Sequence, residues 1–184
     1  MFKSFPARLP STKTEVQARR LLYQVLETGA RSVQENFDEP DDDWMPIWTV
    51  LSPNGSAVMI TGDLHKHEMA DRVGEIAKKA SAVAVGFITS AWALDLGAAD
   101  GDPKRLHEMV YAMKLAGKNI EDMDERIEQV MISTYSAMGT DIYTARIRRF
   151  ESKPPTLGRF EPYEGETVGG RMVEPIQRAL VHEG

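Results

Sequence analysis

A chain of 184 residues, 42% hydrophobic and 27% charged, can bury roughly 70% of its unfolded surface in one core but is short for two, so a single domain over residues 1–184 is expected. It has no cysteine, which removes disulfides, thiolate metal sites and cysteine nucleophiles and fits a reducing cytoplasm. A net charge of −6 argues against sequence-independent binding to nucleic acid, while no apolar stretch approaches the ~20 residues of a membrane span and Met1 to Pro10 lacks a signal-peptide core. The expectation is a cytoplasmic protein with no membrane partner.

Thr12 and Glu15 form a capping box for a first helix. Its apolar positions Ala18, Leu22, Val25, Leu26, Gly29, Val33 and Phe37 recur at helical spacing. Glu15 with Arg19 and Glu27 with Arg31 stand four apart in acid-first order, which reads as a solvated face. Asp38 to Asp43, five acids around Pro40, ends the helix as a solvated connection. A strand from Trp44 to Leu51 follows, and Pro53, Asn54 and Gly55 turn it into a second, Ala57 to Thr61.

Asp63 can cap a second helix with Met69, Val73, Ile76, Ala77 and Ala80 as its buried stripe. Ala82 to Ala93 is apolar on both alternating faces, so it is expected at the sheet centre, covered on both sides. Residues 95–125 read as an inserted helical connection, with Asp102 as cap, Pro103 at the first helical position and Gly117 as the stop. Ile127 to Tyr135 and Asp141 to Phe150 are two further strands; the second alternates Tyr143, Ala145 and Ile147 against Thr144, Arg146 and Arg148. Thr156 to Glu161 adds an edge strand, and the tail 163–184 carries a short helix over Val173 to Leu180. The fold class is α+β, with one mixed β-sheet of about five to six strands flanked by amphipathic helices, in the order α-β-β-α-β-(α)-β-β-β-α.

The hairpin, the long strand ending in Ser90-Ala91-Trp92, the run Glu128 to Ser133 and the closing Arg-rich strand together resemble a group of small α+β proteins from bacteria and their phages, over residues 14–162. The resemblance brings no assigned activity; with the acidic surface, it implies a phage or host-defence inhibitor as one role. The element order is also similar to the cytidine-deaminase-like and JAB-like arrangement, whose catalytic signatures fail here. The zinc deaminases need cysteine ligands. In the JAB-like pattern His65-Lys66-His67 is present, but Glu75 and Lys78 occupy the downstream positions.

His65 and His67 with Asp63 nonetheless form a candidate metal set for a hydrolase. Side chains two apart on a helix point ~200° apart, so the set works only if the helix begins after His67. Calcium is excluded at Asp38 because position 3 of the loop would be Pro40, and the glycines from Gly165 to Gly170 lack the end of a P-loop. Arg146 and Arg148 share a strand face beside Arg149, and with Arg159 in the next strand they can hold a phosphate or an acidic partner. Trp92 lies at the end of the central strand, where ligands of such sheets gather.

The sequence therefore points to a non-enzymatic binding or regulatory protein. It would self-associate through a sheet edge or helix face and engage a protein or small anionic ligand through Arg146, Arg148, Arg159 and Trp92. A metal-dependent hydrolase using His65 and His67 is the alternative, and no cofactor is implied.

Overall fold

The structure, a computed structural model, describes residues 3–62, 66–94, 102–124, 126–163 and 173–181. Its first strand, β1 (Lys3–Arg8), was invisible to periodicity because nearly all of it is exposed and it contains Pro6. Helix α1 (Glu15–Gln34) follows. Its cap lies two residues later than expected: the Thr14 hydroxyl accepts from the Gln17 amide at 3.2 Å, and the Gln17 side chain accepts the Lys13 amide.

Strands β2 (Ile47–Leu51) and β3 (Ser56–Thr61) form the expected hairpin. The Asn54 side chain accepts the Ser56 amide, and Gly55 takes φ +85° against the Leu9 carbonyl, where a Cβ would lie 2.1 Å from the oxygen. Helix α2 (Lys66–Lys79) leads to β4 (Ala84–Leu94). Helix α3 (Pro103–Leu115), capped by Asp102, and a 3-10 turn (Ile120–Asp122) precede β5 (Arg126–Ser136) and β6 (Gly139–Arg148). Two short strands, β7 (Thr156–Leu157) and β8 (Glu161–Pro162), and helix α4 (Glu174–Leu180) complete the chain. Parts of the inserted connection, 95–101 and 125, lie outside the described residues.

The sheet runs β1-β3-β2-β4-β5-β6-β7, with β8 also pairing β6, and every pairing is antiparallel. This corrects the expected mixed sheet of five to six strands: among the described residues there are eight strands and no parallel neighbours. Two of the helical connections are crossovers that span an intervening antiparallel strand. β1 and β2 both pair β3, so they run parallel, joined by α1 with β3 between them. β3 and β4 likewise flank β2, joined by α2. Both connections step toward the sheet centre from strands of opposite direction. Crossovers of one fixed hand must then place their helices on opposite faces.

The packing agrees. Leu22 and Leu26 of α1 lie over Gly86, where an added Cβ would sit 2.8 Å from Leu26 Cδ1. On the other face Met69, Val73 and Ala77 of α2 pack with Trp48, Val50, Val85 and Phe87, and Trp48 stacks on Phe87 at 3.9 Å. Strand β4 is fourth of seven, and its first half, Ala84 to Ile88, is covered on both sides as its two apolar faces required, whereas from Thr89 to Leu94 it is only partly buried and Trp92 is exposed. Ile176 and Leu180 of α4 join α2's cluster, so the short helix completes that layer.

Helix α1 buries Ala18, Leu22, Leu26 and Ala30, a stripe at four-residue steps, whereas Val33 is exposed. Arg19 corrects the expected solvated face: it is buried and pairs with Asp141 on β6 at 2.7 Å instead of Glu15, while Glu15 accepts the Met138 amide. Trp44 precedes β2, buried with its indole donating to the Ala30 carbonyl. Beyond Ser90, β4 and β5 continue as a ribbon past both flanking strands, since β2 pairs β4 only as far as Ile88 and β6 pairs β5 only as far as Gln129. Among the described residues no helix is long and apolar enough to cross a membrane.

Candidate anion-binding site

Strands β7 and β8 behave as one interrupted strand beside β6. Leu157 pairs Ile147 and Glu161 pairs Thr144, so three residues of the outer strand oppose two of β6. That one-residue excess is a β-bulge, which breaks alternation and re-aims side chains. Leu157 and Phe160, three apart, are therefore both buried toward α1, and Arg159 between them is thrown out to solvent. Gly158 fits the bulge tightly: its amide donates to the Arg146 carbonyl at 2.8 Å, and a Cβ would lie 3.2 Å from that oxygen.

Arg31, in the last turn of α1, fixes this segment from the other side. Its guanidinium donates to the carbonyls of Leu157 (2.9 Å) and Gly158 (2.7 Å) and lies over the Phe160 ring at 5.5 Å. Gln34, one turn on, accepts the Leu157 amide at 2.8 Å. Between these groups is a cavity of about 340 Å³ lined by Arg31, Arg148, Thr156, Leu157, Gly158 and Arg159. The side chains of Arg148 and Arg159 are exposed and make no hydrogen bond or ion pair among the described residues.

Tyr23 closes the neighbouring surface, its ring 4.0 Å from that of Tyr143 and edge-on to Phe160. Burial, reinforced by a hydrogen bond to Glu27 and its charge, pushes the Tyr23 hydroxyl up to about 12.

The structure brings two of the expected arginines together and separates the other candidates. Arg148 and Arg159 line the cavity, whereas Arg146, on the same strand face, pairs Gln129 and does not. Arg149 turns the opposite way and grips both oxygens of Glu128, with Asp43 beside it, while donating to the Asp42 carbonyl at 2.9 Å. The acidic connection is thus a folded loop rather than a merely solvated one. Asp43 accepts from the Ser90 hydroxyl, and the amides of Glu39 and Asp38 hold the Asp42 carboxyl below its ordinary range.

Trp92 is 41% exposed on the ribbon, with Arg126 over its ring at 5.1 Å. It shares the α1 face with Ile88 and so lies on the opposite side of the sheet from Arg146 and Arg148. Asp63 and His65 lie outside the described residues, and α2 already includes His67, so the helix does not begin after it as the metal reading required. Among the described residues no group of three His, Asp or Glu side chains is placed to hold a metal. Arg31, which the helix pattern assigned to a solvated pair with Glu27, is the cavity-lining residue that the sequence missed. The only signal for it was Gly158 inside a strand pattern, which marks a bulge without saying what holds it.

No protein-family model matches the chain, and neither does any curated protein or solved structure.

Proposed function

We propose that the protein is a non-enzymatic binding or regulatory module that takes a small anionic ligand between Arg31, Arg148 and Arg159. One contrast carries this reading. Arg19, Arg72, Arg149 and Arg178 each pair with a carboxylate, yet in this acidic chain Arg148 and Arg159 face one cavity with no acid partner among the described residues. Juxtaposed guanidinium groups repel, and a planar fork of donors is suited to an oxyanion. A patch of this kind on a chain of net charge −6 also concentrates anions locally while the rest of the surface repels them.

The test is a sulfate titration of isotope-labelled protein at fixed ionic strength, followed by amide shifts in heteronuclear NMR spectra. Shifts are expected at Thr156 to Arg159 and around Arg31, and they should vanish in Arg148→Ala/Arg159→Ala. Both side chains are exposed, so this variant should keep its melting temperature. Shifts that persist in the variant, or that scatter over the surface, would refute the site.

A further inference from the structure

Resting on the anion-site reading above, the geometry points to a phosphoryl dianion, the head group of a small soluble phosphate monoester, as the occupant of the Arg31–Arg148–Arg159 cavity. The inventory of donors and acceptors decides between anions. Arg148 and Arg159 present two full guanidinium forks, Arg31 keeps the donors that the carbonyls of Leu157 and Gly158 do not use, and Thr156 adds a hydroxyl. The side chains lining the cavity include no carboxylate or amide, and the carbonyls of Leu157 and Gly158 already accept from Arg31.

A ligand bearing N–H or O–H groups therefore finds almost nothing to accept them, whereas one rich in acceptors and carrying two charges satisfies the site. A carboxylate has two oxygens and one charge, and would leave most of the three cations uncompensated. A phosphate monoester has three terminal oxygens, and above its second ionisation it carries two charges. The cavity of about 340 Å³ falls at the small end of ligand sites, with room for a short organic group beyond the phosphate.

This choice of ligand has a pH signature. The charged or titratable groups on the elements that build the site are Glu15, Arg19, Arg20, Tyr23, Glu27 and Arg31 on α1 with Glu35 at its C-cap, Asp141, Tyr143, Arg146 and Arg148 on β6, Arg149, Glu151 and Lys153 in the following turn, and Arg159 and Glu161 on the outer segment. None is a histidine, the residue whose ordinary titration falls between pH 5 and 8. Any change of affinity in that window must come from the ligand.

Methyl phosphate, sulfate and acetate are titrated in parallel at fixed ionic strength, from about pH 5 to about pH 8. A second phosphate ionisation near pH 6 makes methyl phosphate bind about tenfold more tightly at the upper end, while sulfate, dianionic throughout, stays flat. Acetate should bind most weakly, and all binding should be lost in Arg148→Ala/Arg159→Ala. Acetate matching methyl phosphate, or a methyl phosphate affinity indifferent to pH, would overturn the phosphoryl assignment while leaving the anion site standing. No binding of any of the three would remove both. Pelleting with vesicles of phosphatidylcholine and phosphatidic acid, but not with phosphatidylcholine alone, would give the phosphate to a lipid and overturn the soluble monoester.

Discussion

Arg31 and Arg148 border the same cavity, but their surroundings give them different consequences. Arg31 is half-buried, spends both terminal nitrogens on the carbonyls of Leu157 and Gly158 and covers Phe160, so it supports the bulge as well as facing the ligand. Truncating it leaves two carbonyls short of a charged donor and uncovers an aromatic ring. Arg31→Ala is therefore expected to lower stability by about 1–3 kcal/mol, read from urea unfolding, and to weaken anion binding as well. Arg148→Ala, which breaks no bond within the described protein, should change stability by less than about 0.5 kcal/mol and act on binding alone. Equal stability losses in the two variants would contradict the division of labour drawn from the hydrogen bonds. Arg148 was legible in the sequence because alternation along a strand places charges on a wet face, while Arg159 was legible only as a charge in the next strand and owes its exposure to the bulge. Arg31 was not, because a helical pair spaced at four residues looks the same whether it faces water or a sheet edge 126 residues away.

Edges show the same difference between local and long-range information at the scale of elements. The central strand, the β2–β3 hairpin and the last helix could be read from periodicity and turn residues, since each depends on neighbours in sequence. Strand β1 could not: it is held by pairing with β3, some fifty residues on, and carries Pro6. Its register explains that proline. Leu9 donates its amide to the Gly55 carbonyl, so odd positions turn their backbone toward β3 and Pro6 turns outward, where a missing N–H costs no ladder bond. It does remove a donor from the free edge, which discourages pairing with another chain. At the opposite edge, the amide and carbonyl of Leu157 are occupied by Gln34 and Arg31. Of the two routes to self-association expected from sequence, strand pairing is thus opposed at both ends. Pro6→Val should restore an outward donor and a β-branched side chain to β1 and raise the apparent mass with concentration in sedimentation velocity. A variant as monodisperse as the parent protein would show that Pro6 does not guard the edge.

At the scale of the whole molecule, α4 decides whether the α2 face is one cooperative layer or a sheet with an accessory helix laid on it. Seven residues cannot hold a helix by themselves in water, so the order of α4 must come from what it buries. Ile176 is fully buried and Leu180 nearly so, among Met69, Val73 and Ala77 of α2 and Tyr135 of β5. The backbones of α2 and α4 approach closely, since a Cβ on Gly74 would stand 3.1 Å from the Pro175 carbonyl oxygen. A side chain that touches both a helix and the sheet beneath it should be coupled to both. Ile176→Ala is expected to cost about 2–5 kcal/mol, and hydrogen exchange should quicken together in α4, α2 and β4 rather than in α4 alone. Quickening confined to 174–180 would make α4 a detachable cover. The anion cavity is built from α1, β6 and the bulged outer segment, none of which Ile176 contributes to, so sulfate should shift the same amides with the same affinity in this variant wherever it remains folded. Loss of binding at temperatures where the variant is still folded would mean that the two faces of the sheet are coupled through β5, the strand that α1 and α4 both touch.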